Sequence, residues 1–185
     1  MPKRRIAPLF ALLLSLAGAP PNAAAADMDK VVRHAFRVAE TSFDPARESD
    51  RYSAFIVEAM FDSLLTYDYL ARPAKLVPGV AAAMPEVGDN GATYTFRVKQ
   101  GVYFADDPAF RGNKRELTAQ DFAYSIRRMY DPKLRSPNLY LFEGKIIGAD
   151  EVMLQAKKTG KYDYDAPIAG LEVPDRYTLR IRLKQ

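Results

Sequence analysis

Apolar and polar positions alternate over residues 93–98, where Tyr94, Phe96 and Val98 interleave with Thr93, Thr95 and Arg97. This is the pattern of a half-buried strand. Gly101 breaks it, and Val102, Tyr103 and Phe104 form a second short apolar piece ahead of a polar, turn-prone loop over residues 106–116. The period then changes. Phe122, Ile126, Met129 and Tyr130 recur at i, i+4, i+7 and i+8, the single stripe of an amphipathic helix. Thr118 and Asp121 have the spacing of a capping box at its start. Asp131-Pro132 ends it, because proline disfavours a helical residue before it.

The rest of the chain follows from the same two periods. Residues 31–38 read as a first strand, followed by a polar turn at Thr41-Ser42-Phe43-Asp44-Pro45. A helix is predicted over residues 53–64, capped by Asp50 or Ser53, and then a short extended segment over 65–70. Asp89-Asn90-Gly91 is a hairpin turn signal. A second helix is expected over residues 150–158, with an acidic start, a basic end and Gly160 as its stop. Residues 168–173 and 177–183, joined through Pro174-Asp175-Arg176, form a hairpin with one buried face.

The first residues are of another kind. Lys3, Arg4 and Arg5 precede an apolar run over residues 6–17, and Ala24-Ala25-Ala26 offers a small-residue cleavage site before Asp27. This is the layout of a secretory signal. The chain holds 27 Lys and Arg against 23 Asp and Glu, but residues 1–26 contain three of the bases and no acid. The mature chain is therefore near neutrality, which argues against a nucleic-acid partner. The absence of cysteine removes a disulfide framework, a thiolate metal site, a cysteine nucleophile and a lipidated N-terminal cysteine.

Catalytic and metal chemistry find little support. His34 is the lone histidine and falls in the expected first strand. Asp106-Asp107 and Asp163-x-Asp165 could attract a hard cation but lack an EF-hand's spacing, and read better as solvated turns. There is no Gly-x-Ser-x-Gly elbow and no phosphate-binding glycine loop. Tyr130 belongs to the helix stripe, whereas Tyr124, Tyr140, Tyr162 and Tyr164 are expected at the rim. Arg127-Arg128 could bind a carboxylate, but the pair reads better as the solvated face of the helix. No catalytic residue, metal ligand or cofactor is assigned.

Three linked pieces carry a resemblance: Tyr94-Thr-Phe-x-Val-x-x-Gly-Val-x-Phe, then Leu117-Thr-Ala-x-Asp-x-x-Tyr-Ser-x-x-Arg, then Asp131-Pro132. They resemble the signature of the family 5 extracellular solute-binding proteins, the oligopeptide- and dipeptide-binding subunits of ABC importers. Leu76-Val-Pro-Gly-Val-Ala and the Gly170-Leu-Glu…Asp175-x-Tyr-Thr-Leu segment are similar to the family as well, so the likeness extends over residues 31–185. Ala105-Asp106-Asp107 stands where the family usually has His-Asp-Gly, the mark of a variant branch.

The resemblance implies a mixed α/β (α+β) fold, the N-terminal part of a two-lobed binding protein with a mixed sheet, packed helices and no second lobe. It implies a signal peptide at 1–26, the start of a ligand-facing lobe at 27–50, an outer subdomain at 51–166 and a hairpin returning to the ligand-facing lobe at 167–185. The loop holding Thr41, Ser42 and Phe43 would lie near the ligand cleft; the alternative is that Asp44 simply starts a turn before Pro45. The implied function is capture of peptides or similar small solutes by a periplasmic, monomeric protein that serves an inner-membrane ABC permease, without catalysis. An exported carboxylate-based hydrolase and a non-binding piece of an interrupted gene remain the alternatives.

Overall fold

The computed structural model describes residues 29–31 and 33–184, and the expected signal segment lies outside them. Two units are distinguished, Met1–Ala35 and Phe36–Gln185. In the first, the described residues contain no helix or strand. The strand expected over residues 31–38 is not found among the described residues there. Alternation only makes a strand when a neighbour takes up its row of N–H and C=O groups.

The second unit opens with α1 (Arg51–Met60). Its N-cap is Asp50, whose carboxylate accepts from the amides of Tyr52 and Ser53, both at 2.9 Å. β1 (Leu65–Tyr67) and β2 (Leu76–Pro78) follow as a small antiparallel pair. β3 (Glu86–Gly88) and β4 (Thr93–Arg97) are joined through the Asp89-Asn90-Gly91 turn, where all three residues have positive φ, the conformation that Asp, Asn and Gly tolerate best. α2 spans Ala119–Met129 and α3 spans Ala149–Thr159. β5 (Leu171–Asp175) and β6 (Thr178–Arg182) close the fold.

The main sheet runs in the order β3-β4-β6-β5, and every pairing in it is antiparallel. β6 pairs with β4 over five residues, Thr93↔Arg182 to Arg97↔Thr178, so the final hairpin completes the sheet begun by β4. α2 packs on β5 and β6. Between these helices and the sheet lies one core that includes Val98, Ala123, Tyr130, Met153, Ile168 and Leu179. Tyr130 is 1 % exposed, and its hydroxyl donates to the Phe142 carbonyl at 2.8 Å, so a buried phenol has its partner.

The capping box at α2 is formed. The Asp121 carboxylate accepts from the Thr118 amide at 2.8 Å and from its hydroxyl at 3.0 Å, and Arg115 pairs with the same side chain. α3 begins after Gly148 and stops at Gly160, both in the left-handed region. Gly170 is needed for a different reason. A Cβ there would stand 2.6 Å from the Arg182 carbonyl and 2.7 Å from the Ile147 amide, so the chain crosses its neighbours too closely for a side chain.

Candidate ligand-facing loop

The loop over residues 41–50 is built on the end of α1. Ser53 is fully buried, and a buried hydroxyl is costly unless hydrogen-bonded. It is bonded on both sides: its Oγ donates to Asp50 at 2.5 Å and accepts from the amides of Thr41 at 2.9 Å and Ser42 at 3.3 Å. The Thr41 hydroxyl also donates to Asp50. Four donors thus converge on Asp50. The Ser53 and Thr41 hydroxyls, followed by the two amides, hold its carboxyl well below the ordinary carboxylate range.

The other end of the loop is tied to α2. Arg128 grips Asp44 with both guanidinium nitrogens, Nη1 to Oδ1 at 2.9 Å and Nη2 to Oδ2 at 2.6 Å, across 84 positions of sequence. A two-pronged contact fixes orientation as well as distance. The Arg128 hydrogen bond is the main reason that the Asp44 carboxyl is shifted down, and Asp44 in turn raises Arg128. Asp44 also starts a turn, accepting from the Ala46 amide at 3.1 Å.

These contacts leave the three nominated residues with different roles. The Thr41 hydroxyl is committed to Asp50, and the Ser42 hydroxyl accepts from the Asp44 amide at 3.1 Å. Phe43 is 48 % exposed and is the apolar group that the loop presents. The expectation that Arg127-Arg128 forms a solvated face is corrected. Both arginines are half-buried, Arg128 on Asp44 and Arg127 donating to the Ala166 carbonyl at 2.5 Å. Sequence reasoning named both Arg128 and Ser53 but preferred a solvated face for the first and offered the second only as a possible cap. Ser53 stands three residues past the N-cap on a largely apolar helix, and nothing local marks an arginine for a partner 84 residues away.

The rim tyrosines also need correction. Tyr162 is 5 % exposed, and burial pushes its hydroxyl up to about 12. It meets Tyr164 edge-on at 4.9 Å, and Tyr164 stacks obliquely on Tyr124 at 5.3 Å while donating to Asp131 at 2.8 Å. Asp107 and Asp163 serve turns, accepting from the amides of Ala109 and Asp165. Among the described residues, no group of three His, Asp or Glu side chains is placed to hold a metal ion.

The fold is that of one part of a solute-binding protein. Residues 75–185 match the profile described as bacterial extracellular solute-binding proteins, family 5 Middle, and the chain belongs to that family. It is similar to the periplasmic oligopeptide-binding protein OppA of Escherichia coli (strain K12), 33 % identical over 149 residues, which are 78 % of this chain and 23 % of OppA. It is also similar to di/tripeptide-binding protein 2 of Pseudomonas aeruginosa (strain UCBPP-PA14), 32 % identical over 133 residues, 66 % of this chain and 22 % of that one. Among solved structures, the Escherichia coli murein tripeptide-binding protein MppA superposes with a TM-score of 0.58 at 28 % identity, covering 79 % of this chain and 25 % of that one. The pheromone receptor PrgZ superposes with a TM-score of 0.58 at 30 % identity, covering 77 % and 24 %. The chain spans about a quarter of the length of these relatives.

Proposed function

We propose that this chain supplies one side of a periplasmic peptide-binding protein that delivers its solute to an ABC permease, and that residues 41–43 face the solute. The membership in family 5 supports the class, and the fixed loop supports the place. Ser53, Asp50 and Arg128 hold the loop while Phe43 stays half exposed. A loop ordered before binding loses less entropy when a ligand arrives.

In this reading the protein binds and releases without catalysis, works as a monomer and takes no nucleic acid. A signal at residues 1–26 directs it to the periplasm, and N-terminal sequencing of exported protein should start at Asp27. Residues 27–50 begin the ligand-facing lobe, 51–166 form the outer subdomain and 167–185 lead back toward the cleft. The other side of the cleft would come from sequence not included in these 185 residues.

The test is a graft. Residues 36–184 would replace the matching part of Escherichia coli OppA, and the chimera would be titrated with tri- and tetrapeptides in a calorimeter. Saturable peptide binding, weakened at least about fivefold by Phe43→Ala, is expected, since a truncated aromatic contact costs on the order of 1 kcal/mol. A folded chimera that binds no peptide, or one indifferent to Phe43→Ala, would defeat the assignment.

A further inference from the structure

A second feature uses the other end of the same loop, residues 47–49. An open depression of about 820 Å³ sits between the turn at residues 47–49, the loop at residues 131–137 and the C-terminal end of α3. Four cations line it, Arg47, Lys133, Arg135 and Lys157, against one carboxylate, Asp131. Among the described residues, none of the four forms an ion pair within 4.0 Å, whereas Arg97, Arg115, Arg128, Arg176, Arg180 and Arg182 all do. Asp131 is already committed. One of its oxygens accepts from the Lys133 amide at 2.9 Å and the other from the Tyr164 hydroxyl at 2.8 Å.

The walls are built rather than loose. Pro132 and Pro137 stiffen the loop, and Asn138 pins its far end to the Glu48 carbonyl at 3.0 Å. Arg135 is held at φ 51°, a conformation unfavourable to any residue with a side chain and one that fixes where its side chain leaves the backbone. Tyr162 lines the same depression. It is 5 % exposed, and its buried hydroxyl has no hydrogen-bond partner. That hydroxyl has almost no accessible surface, so the ring serves as wall and the phenol is not offered to a ligand.

We propose that this depression is a binding site for a phosphate group, either a free phosphate compound or the headgroup of an anionic lipid. Four cations and one carboxylate give the lining an excess of positive charge. A phosphate group near neutral pH carries up to two negative charges and several strong acceptor oxygens, and so answers that excess better than a carboxylate does. The carbonyl end of α3 meets the depression at Gly160 and offsets part of the positive charge, Lys157 lying in its last turn. The depression shares residues 47–49 with the candidate loop but none of residues 41–43, and it would remain if the peptide reading failed.

Inorganic phosphate titrated into the purified chain at low ionic strength, followed by NMR shifts of residues 131–137, tests the proposal. A second arm measures co-sedimentation with phosphatidylglycerol–phosphatidylcholine vesicles against phosphatidylcholine alone. Saturation by phosphate alone assigns a free phosphate compound; binding confined to the anionic vesicles assigns the headgroup. Arg135→Gly removes a cation and also relieves the φ of 51°, so it should keep or raise the melting temperature while weakening binding about tenfold. Lys114→Ala, outside the depression, should leave binding unchanged. The proposal is overturned by non-saturating shifts with no vesicle preference, by full affinity in Arg135→Gly, or by an equal loss in Lys114→Ala.

Discussion

Arg128 and Asp44 decide how firmly the candidate loop is held. Their side chains are 28 % and 26 % exposed, so the pair keeps some contact with water and is worth less than a fully buried one. Arg128→Ala should cost about 1–2 kcal/mol, the range for hydrogen bonds to charged groups, and should speed amide exchange over residues 41–48 more than in α3. The pair also has a pH signature. The Asp44 carboxyl is lowered from 3.8 in the folded chain, so its contribution is complete above that value and is lost as pH falls toward the folded one. Urea unfolding should therefore show wild type and Asp44→Asn furthest apart near pH 6 and converging below about pH 4. A gap that stayed constant to pH 3 would mean that the carboxylate charge is not what holds the loop. None of this was legible locally. Asp44-Pro45 announces a turn in sequence, but a long-range partner has no periodicity, and adjacent arginines on an amphipathic helix look like a solvated face.

At the scale of elements the sequence was far more readable. α2 has its stripe, its cap and its stop where the spacing of Thr118, Asp121 and Asp131-Pro132 puts them. β6 has the alternation of Leu179 and Ile181 with Arg180 and Arg182, and the turn into β4 has Asp89-Asn90-Gly91. Such features depend on neighbours within a few positions, which is why a pattern finds them. The expected strand at residues 31–38 failed because a strand depends on a partner that the pattern cannot supply. The cap can be measured. Asp121 accepts both Thr118 donors and pairs with Arg115, so Asp121→Ala should cost about 1 kcal/mol and Thr118→Ala about half as much, read from urea midpoints. The reverse order would place the cap on the threonine hydroxyl. Gly170→Ala should cost about 2–3 kcal/mol by overpacking, because the new methyl meets backbone that cannot step aside. A loss under about 0.5 kcal/mol would show that the crossing at Ile147 and Arg182 is looser than described.

Within residues 36–184 one core joins the four-stranded sheet to α2 and α3, and Leu179 in β6 is fully buried in it. Leu179→Ala should cost about 2–5 kcal/mol and lower the melting temperature accordingly. Beside this core α1 is thinly covered. Ser53 is its one buried residue, while Phe55 and Met60 are exposed at 44 % and 61 %. The family likeness was legible because its motifs fall in strand β4 and helix α2, where packing constrains every second or third residue. Which solute is bound was not, because a ligand is chosen by loops and by surfaces brought together from distant sequence. The central claim is that these residues form one side of a cleft. A half-cleft keeps the cost of ordering a peptide and forgoes much of the compensating contact, and a loss of about 4 kcal/mol weakens binding roughly a thousandfold. The direct measurement is calorimetry of the purified chain against a pool of di- to pentapeptides. The account predicts no saturable binding tighter than about 10 μM, whereas saturable binding below that value would place the whole site within these 185 residues and contradict it.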